Sequence, residues 1–318
     1  MPPQADNHLG APRKVGVELE FAGVSVTGAA SVVQELWGGQ QKAVDPFQIH
    51  IEGTELGDVE VELDLRYAHE PEEGITRWIS EDADEEIRKV IGNIGENLVP
   101  TEIACPPVTL DKVEQLEELV RALRKAGAEG TRASPLYAFG AQFNPEIYSD
   151  SADDLLACLR SFILLRAWLR QEIEVDLSRQ LTFFAGAFPF DYMALVLDAD
   201  YAPDQTKLIS DYLVHNPTRN RELDLLPLFA WLDKDQVLST LPDTKIRRRP
   251  TFHYRLPNAL IDQPEWGLAE DWNRWVMVER LAARPDLIEA GAQAWLANNR
   301  KLVSDNWTLL SVALAEKL

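Results

Sequence analysis

Two glutamates spaced two residues apart give the first indication of chemistry in this sequence. Glu18 and Glu20 lie within residues 14–21, KVGVELEF. Alternate side chains of a β-strand share a face, so this pattern places both carboxylates opposite an apolar face. Two such charges a few ångströms apart repel unless a proton, a cation or an arginine lies between them. For this segment alone, two solvated glutamates on a half-exposed strand are the simpler explanation.

The same alternation of apolar and polar residues recurs in four later segments. Residues 47–66 predict a hairpin, and residues 96–107, 136–147 and 251–256 predict further strands. Their polar faces present first carboxylates, then amides, and finally a histidine and an arginine. These polar residues are Glu60, Glu62, Asp64, Glu102, Gln142, Asn144, His253 and Arg255.

If these strands pair into one sheet, their polar faces form a cleft lined by carboxylates, with an arginine opposite. Grouped carboxylates suit Mg²⁺ or Mn²⁺, whose other positions are taken by water and phosphate oxygens. An arginine suits a phosphoryl group in transfer. The alternative is a set of acids spread over a solvated surface. That explanation is weaker for the whole set than for one strand, because the segments are otherwise strongly apolar.

Predicted helices between and after the strands would cover the apolar face of the sheet. Asp111 and Glu114 have the spacing of a capping box at the start of one helix, and Pro106 and Pro107 are expected to end the preceding strand. The predicted fold class is α+β, with a mainly antiparallel sheet, a polar concave face and helices on the other face. Helical spacing is found over residues 28–37, 80–95, 111–126 and 152–172, and from about residue 267 onward.

The chain is predicted to form one domain after a short lead-in. Residues 1–13 are polar and contain three prolines, which indicates a mobile, dispensable segment. Residues 14–318 then form a single domain with helices at its C-terminal end. Residues 177–241 are apolar and aromatic but give no firm assignment between strand, loop and helix.

Composition and charge exclude several classes of partner. The 318-residue chain has a formal net charge of −21, so its surface repels nucleic acids and anionic membranes, and neither is expected as a partner. Cys105 and Cys158 lack metal-ligand or redox spacing and are expected to be buried thiols. Without an apolar run of membrane-spanning length or a hydrophobic signal region, the protein is expected to be cytoplasmic.

Several other chemistries lack their sequence signatures here. The chain contains no Walker A sequence, dinucleotide-binding glycine fingerprint, HExxH helix or GxSxG elbow. Its five histidines are few and scattered, which disfavours a histidine metal centre. His215 and His253 are expected to be hydrogen-bonded structural residues, although His253 falls on the predicted polar face.

Four motifs in this order resemble those of the amidoligases, relatives of glutamate-cysteine ligase and glutamine synthetase. KVGVELEF resembles their opening metal-binding strand, and TEIACPP resembles a following strand that contains a glutamate and ends in proline. GAQFN resembles the strand whose polar pair faces nucleotide and metals, and FHYRLP resembles the strand that supplies a phosphate-contacting arginine. The resemblance covers roughly residues 14–257 and implies a glutamine-synthetase-like sheet.

The resemblance implies ATP-dependent joining of a carboxylate to an amine through an acyl phosphate. Glu18, Glu20, Asp64 and Glu102 would hold Mg²⁺ or Mn²⁺, with Glu60 and Glu62 as weaker candidates. Gln142 and Asn144 would complete the metal or nucleotide shell, and Arg255 would stabilise the transferring phosphoryl group. Arg219 or Arg221 could hold a substrate carboxylate or phosphate. The acid or amine could be a small molecule, a peptide or a protein end.

Three positions depart from the family pattern and keep other functions open. Gln142 and Asn144 replace a histidine pair found in many members, and His253 stands where a glutamate often precedes the arginine by two positions. One alternative is therefore a catalytically silent module that binds metal or nucleotide. A weaker alternative is a metal-dependent phosphohydrolase. The arginines at 247–249 are interpreted as a solvated loop, whereas for Arg219 and Arg221 the sequence favours neither a binding role nor a structural one.

Overall fold

The computed structural model of the chain describes residues 1–64, 99–134, 139–175, 186–242, 246–299 and 307–318. Within this part, one antiparallel sheet is covered by helices, which confirms the predicted α+β class. The closer likeness to glutamine synthetase stays a prediction. The predicted helix at 80–95 and the first residues of the unassigned segment 177–241 lie outside the described residues.

The first strand of the chain lies near the middle of the sheet. Among the described residues the strands are β1 (Lys14–Phe21), β2 (Gln40–Asp45), β3 (Gln48–Thr54), β4 (Gly57–Leu63), β5 (Thr101–Thr109), β6 (Ala141–Pro145), β7 (Leu223–Asp224) and β8 (His253–Tyr254). Their order across the sheet is β2-β3-β4-β5-β1-β6-β8-β7. β1 has the predicted bounds, and the other predicted strands are present in shortened or shifted form. β2 adds an edge strand that the sequence pattern did not indicate.

β1 combines a fully buried apolar face with a paired strand on each side. Val15, Val17, Leu19 and Phe21 are fully buried and form the apolar face. β5 and β6 pair with β1 on its two sides, both antiparallel. The apolar face packs on the core, and the pairing on both sides places β1 in the interior of the sheet.

Helices pack on the apolar face and build the core beneath it. In the described residues they are α1 (Val26–Trp37), α2 (Val113–Lys125), α3 (Ala152–Ile173), α4 (Phe190–Leu197), α5 (Gln205–His215), α6 (Leu226–Leu232), α7 (Lys234–Thr240), α8 (Leu268–Ala282), α9 (Pro285–Asn299) and α10 (Trp307–Ala315). The ring of Phe162 in α3 lies 6.1 Å from that of Tyr254, and Trp272 in α8 lies 6.4 Å from Phe143. None of these helices has the length and apolar character needed to cross a membrane.

Two local predictions around α2 are wrong. The paired prolines do not end the strand, because β5 continues to Thr109. The β1–β5 register shifts by one residue between Val15 and Val17, so the extra residue falls at Pro106 and Pro107 and forms a bulge where missing N–H donors are tolerated. The capping box is also absent at this helix start. A 3₁₀ turn precedes α2, whose N-cap is Lys112, and Asp111 is hydrogen-bonded to the Thr109 side chain instead.

Residues 1–13, predicted as a mobile lead-in, make specific contacts with the domain. The backbone N–H of His8 donates to the carbonyl of Ile147 at 3.3 Å, and that of Arg13 donates to Ala5 at 2.9 Å. The side chain of Arg13 is only 1% exposed and forms an ion pair with Glu279 of α8. This buried pair joins the segment before β1 to the C-terminal helices, which argues against a dispensable lead-in.

A buried aspartate at the start of α8 predicts a pH dependence of stability. Asp271 accepts hydrogen bonds from Trp266 Nε1 at 3.2 Å and Arg274 Nη1 at 2.6 Å. Burial nevertheless raises the pKa of Asp271 from 3.8 to about 6, with the arginine opposing this shift. The folded protein therefore binds this proton more tightly than the unfolded chain, so stability from this group is present at low pH and is lost as the pH rises from about 4 to about 6.

The variant Asp271→Asn should remove this pH dependence. Relative to the parent protein, the variant should become more stable by roughly 1–3 kcal/mol between pH 4 and pH 7.5, because only the parent protein loses stability on deprotonation. Urea unfolding at both pH values measures the difference. A stability difference between the two proteins that is the same at both pH values would show that Asp271 titrates normally.

Candidate active site

Three carboxylates from three strands come together on the polar face of the sheet. Oxygens of Glu20, Asp64 and Glu102 all lie within 4.8 Å of one another. Glu20 and Glu102 face each other directly across the β1–β5 pairing. Asp64 follows β4, where its N–H donates to the carbonyl of Pro100 at 2.9 Å. Antiparallel register therefore brings together residues far apart in the sequence, and we call these three residues the acidic cluster.

The acidic cluster has the donor set and the spacing for a hard divalent cation. Asp64 is 4% exposed and Glu102 is 7% exposed, so water screens their charges poorly. Gly140 N–H donates to Glu20 Oε2 at 2.8 Å and fixes the orientation of that carboxylate. An octahedral Mg²⁺ binds oxygens at about 2.1 Å, which separates opposite ligands by about 4.2 Å. The cluster is close to this size.

Glu18, the fourth predicted metal ligand, does not join the acidic cluster. Its Oε1 accepts a hydrogen bond from Asn144 Nδ2 at 2.8 Å, and Asn144 Oδ1 accepts one from Gln142 Nε2 at 2.8 Å. Gln142 Nε2 also lies 3.1 Å from His253 Nδ1. These four residues form a chain of hydrogen bonds across β1, β6 and β8. Both predicted amides thus lie in the cleft, where they connect Glu18 to His253.

Arg255 is held at the far side of the cleft by a buried carboxylate. Its Nη2 donates to Asp224 Oδ2 at 3.3 Å, and its backbone N–H donates to the carbonyl of Glu222 at 2.9 Å. Asp224 is fully buried, which raises the pKa of its carboxyl, while the guanidinium of Arg255 opposes that shift. The guanidinium is thereby oriented towards Asp224 on β7, the strand at this edge of the sheet.

Arg219 and Arg221 have different surroundings in the structure. Arg221 donates to the carbonyl of Ala187 at 2.7 Å and to that of His215 at 3.4 Å, so it stabilises the backbone around β7. Burial lowers its pKa. The charge of Arg219 instead acts on Asp224 and His253, which places it near the cleft. Arg219 is therefore the better candidate for binding a ligand.

Glu60 and Glu62, the weaker metal candidates, have polar and cationic neighbours. Gln48 Nε2 donates to Glu62 Oε2 at 3.0 Å and also to Glu60. Arg247 Nη1 lies 3.5 Å from Glu60 Oε2, although the arginine side chain is 67% exposed. The segment before β8 thus reaches back to β4, on the other side of β1. Arg247 and Arg248 are both exposed and lie outside helices and strands, which agrees with the interpretation of 247–249 as a solvated loop.

Comparison with known proteins assigns the chain to a family. A family model with the description "Putative amidoligase enzyme" matches residues 11–277 of the chain, from just before β1 into α8. The chain belongs to this amidoligase family. The matched range contains the acidic cluster, both amides and Arg255, and it confirms the resemblance found in the sequence. A search of curated proteins finds no match to the chain.

The cleft of this member of the amidoligase family has a negative end and a positive end. The acidic cluster lies on β1 and β5 and directly after β4, whereas Arg255 follows β8, which is three strands away from β5. At the usual strand spacing this separates the two ends by about 14 Å. Gln142 and Asn144 lie between them on β6. A ligand that binds both ends needs an extended anionic part and a cation.

Sequence reasoning missed a buried charge cluster that supports the positive end. Glu222 precedes β7, is fully buried, and is bound by Arg166 and Arg170 of α3, with Arg166 Nη2 3.1 Å from Glu222 Oε1. The spacing of the two arginines places them on one face of the helix, which was the available signal. Their partner could not be deduced, because it lies on a different element. This cluster anchors the backbone that supports Arg255.

Proposed function

We propose that the protein is an ATP-dependent carboxylate–amine ligase. The observation that carries this proposal is the convergence of Glu20, Asp64 and Glu102 at one end of the polar face, with Arg255 fixed at the other end, in a chain of the amidoligase family. Phosphoryl transfer requires a metal ion that binds the polyphosphate and a positive charge that stabilises the phosphoryl group. The three carboxylates would hold the metal ion, and Arg255 would supply the charge.

The proposed reaction has two steps. An oxygen of the acid substrate attacks the γ-phosphorus of ATP, the bond to ADP breaks, and an acyl phosphate forms. The amine nitrogen then attacks the acyl carbon, inorganic phosphate leaves, and the nitrogen loses a proton. Arg255 would stabilise the negative charge on the phosphoryl group in the first step and on the departing phosphate in the second.

The other polar residues would position the reactants rather than take part in bond making. Glu20, Asp64 and Glu102 would hold Mg²⁺ or Mn²⁺, which supplies charge neutralisation for the nucleotide phosphates when it is bound. Gln142 and Asn144, fixed by the hydrogen bonds to Glu18 and His253, would contact the nucleotide between the two ends of the cleft. Their rigidity favours a defined orientation of the γ-phosphate.

A screen of acids and amines for ADP release tests the ligase proposal. Pairs of carboxylates and amines are incubated with ATP and Mg²⁺, ADP is measured, and mass spectrometry identifies an amide product. The expected result is ADP release that requires both the acid and the amine and matches amide formation in amount. Phosphate release without an amine would favour the phosphohydrolase. Nucleotide binding by calorimetry without any turnover would favour the silent module.

A further inference from the structure

Three alternate residues place hydrogen-bond donors along one face of the β8 segment, and an arginine precedes them. Phe252, Tyr254 and Leu256 are buried in the core, so their neighbours point to the opposite, polar face. The charge of Arg249, which lies before the bend at Pro250, acts on His253, and the polar face presents Thr251, His253 and Arg255 in succession. Only the last of these, Arg255, has a role in the proposed reaction. The other three donors need an explanation of their own.

Two of these donors are buried without a partner among the described residues. Thr251 is 6% exposed and His253 is 5% exposed, and neither Thr251 Oγ1 nor His253 Nε2 has a hydrogen-bond partner there. Gln142 Nε2 donates to His253 Nδ1, so a neutral ring carries its proton on Nε2. A buried polar atom without a partner costs free energy, and a ligand atom that accepts these hydrogen bonds would recover it.

The charges around His253 determine which ligand fits. Burial and the charges of Arg255, Arg249 and Arg219 lower the pKa of His253 well below its ordinary value, so the ring stays neutral. Asp224 is the buried carboxylate opposite His253 in the β7–β8 register, and it is hydrogen-bonded to Arg255. Arg249 and Arg219 add positive charge beyond this pair. A cation would be repelled here, whereas an anionic oxygen can accept from Nε2–H and pair with the arginines.

We propose that Arg249, Thr251 and His253, together with Arg219, form a second anion subsite that holds an acidic group of the substrate other than the carboxylate that reacts. The substrate acid is then at least a dicarboxylate or a similarly charged acid. Alternate residues of a strand are about 7 Å apart. In the substrate, a short carbon chain would therefore separate the acidic group at His253 from the group that is phosphorylated near Arg255. The assignment to the acid substrate rests on the proposed ligase function. The binding of the anion itself does not.

Binding of acids of increasing charge, measured without nucleotide, tests the subsite. Propionate, succinate and tricarballylate are titrated into the protein by calorimetry at constant ionic strength. Affinity should rise about tenfold or more from propionate to tricarballylate, since each charge-assisted hydrogen bond is worth a factor of this size. Arg249→Met and His253→Phe should remove that rise, whereas His253→Gln, which keeps an N–H donor, should retain most of it. Thermal unfolding of each variant confirms that it is folded.

Arg248→Met provides the matched control, because this exposed neighbour carries the same charge and is not among the residues that act on His253. It should change tricarballylate affinity by less than about twofold, as expected for an exposed charge. An equal loss in Arg248→Met and Arg249→Met, or no dependence on ligand charge in the parent protein, overturns the subsite.

A second titration uses the Mg²⁺ complex of a non-hydrolysable ATP analogue. It tests whether the donors bind an acidic group of the substrate or a phosphate of the nucleotide. Its affinity should be unchanged in Arg249→Met, which leaves the hydrogen bond between Gln142 and His253 in place. A loss confined to this nucleotide would assign the donors to its phosphates and overturn the proposal. If charge-dependent acid binding is found but no acid and amine pair releases ADP, the subsite stands and the ligase function fails.

Discussion

Glu102→Gln should lower the affinity for Mn²⁺ by about 100-fold or more and abolish metal-dependent turnover. Even groups outside the ligand shell change metal affinity about 10–100-fold when removed, and Glu102 is a candidate direct ligand, buried between Glu20 and Asp64. An amide keeps the shape of the side chain but loses the negative charge. The defect should therefore be in cation binding and not in folding.

The metal dependence of thermal stability distinguishes loss of a ligand from loss of structure. A cation that binds only the folded state raises the unfolding temperature with its concentration, so Mn²⁺ should stabilise the parent protein and not Glu102→Gln. Glu18→Gln is a second control, since Glu18 accepts a hydrogen bond from Asn144 and lies outside the acidic cluster. This variant should retain most of the Mn²⁺ affinity. Glu118→Gln, an exposed residue on α2, controls for the lost charge. Equal Mn²⁺ stabilisation of Glu102→Gln and the parent protein would remove the acidic cluster as a metal site.

Arg13→Met should destabilise the protein by about 3–5 kcal/mol, the usual cost of leaving one member of a buried ion pair without its partner. Arg13 Nη1 and Nη2 donate to Glu279 Oε2 and Oε1 at 2.8 and 2.6 Å, and both side chains are at most 2% exposed. Trp275 Nε1 donates to the same carboxylate at 2.8 Å. The variant would bury an uncompensated negative charge between the segment before β1 and α8.

Urea unfolding measures this loss, and a second change tests its cause. Combining Arg13→Met with Glu279→Leu should recover much of the stability, because the double variant leaves no buried charge at the pair. Arg284→Met, which breaks the exposed pair with Asp286, should have little effect. If Arg13→Met were as mild as Arg284→Met, the buried pair would not anchor residues 1–13.

Local sequence pattern predicted most strands and helices but could not rank the acidic residues. Glu18 and Glu20 are equivalent by alternation, since both face away from the core. Register separates them, because Glu20 lies opposite Glu102, whereas Glu18 lies between Ala104 and Gln142. Register depends on pairing between strands far apart in the chain, which a single sequence does not reveal.

Buried ion pairs were the other feature that the sequence could not provide. Arg13 was assigned to a mobile lead-in because its neighbours are polar, and Glu279 lies 266 residues later. Arg166 and Arg170 lie within an otherwise apolar helix, and their partner Glu222 lies beyond α3. A charged residue gives no local signal of burial when its partner comes from a distant element.

The central position of β1 has a consequence for how the chain folds. β1 ends at Phe21, but its two neighbours begin only at Thr101 and Ala141. β2, β3 and β4 pair with strands adjacent in the chain and can form early. During synthesis β1 therefore emerges with both edges unpaired, and its partner strands are synthesised only later. An exposed strand in this interval is a target for wrong pairing and for chaperones.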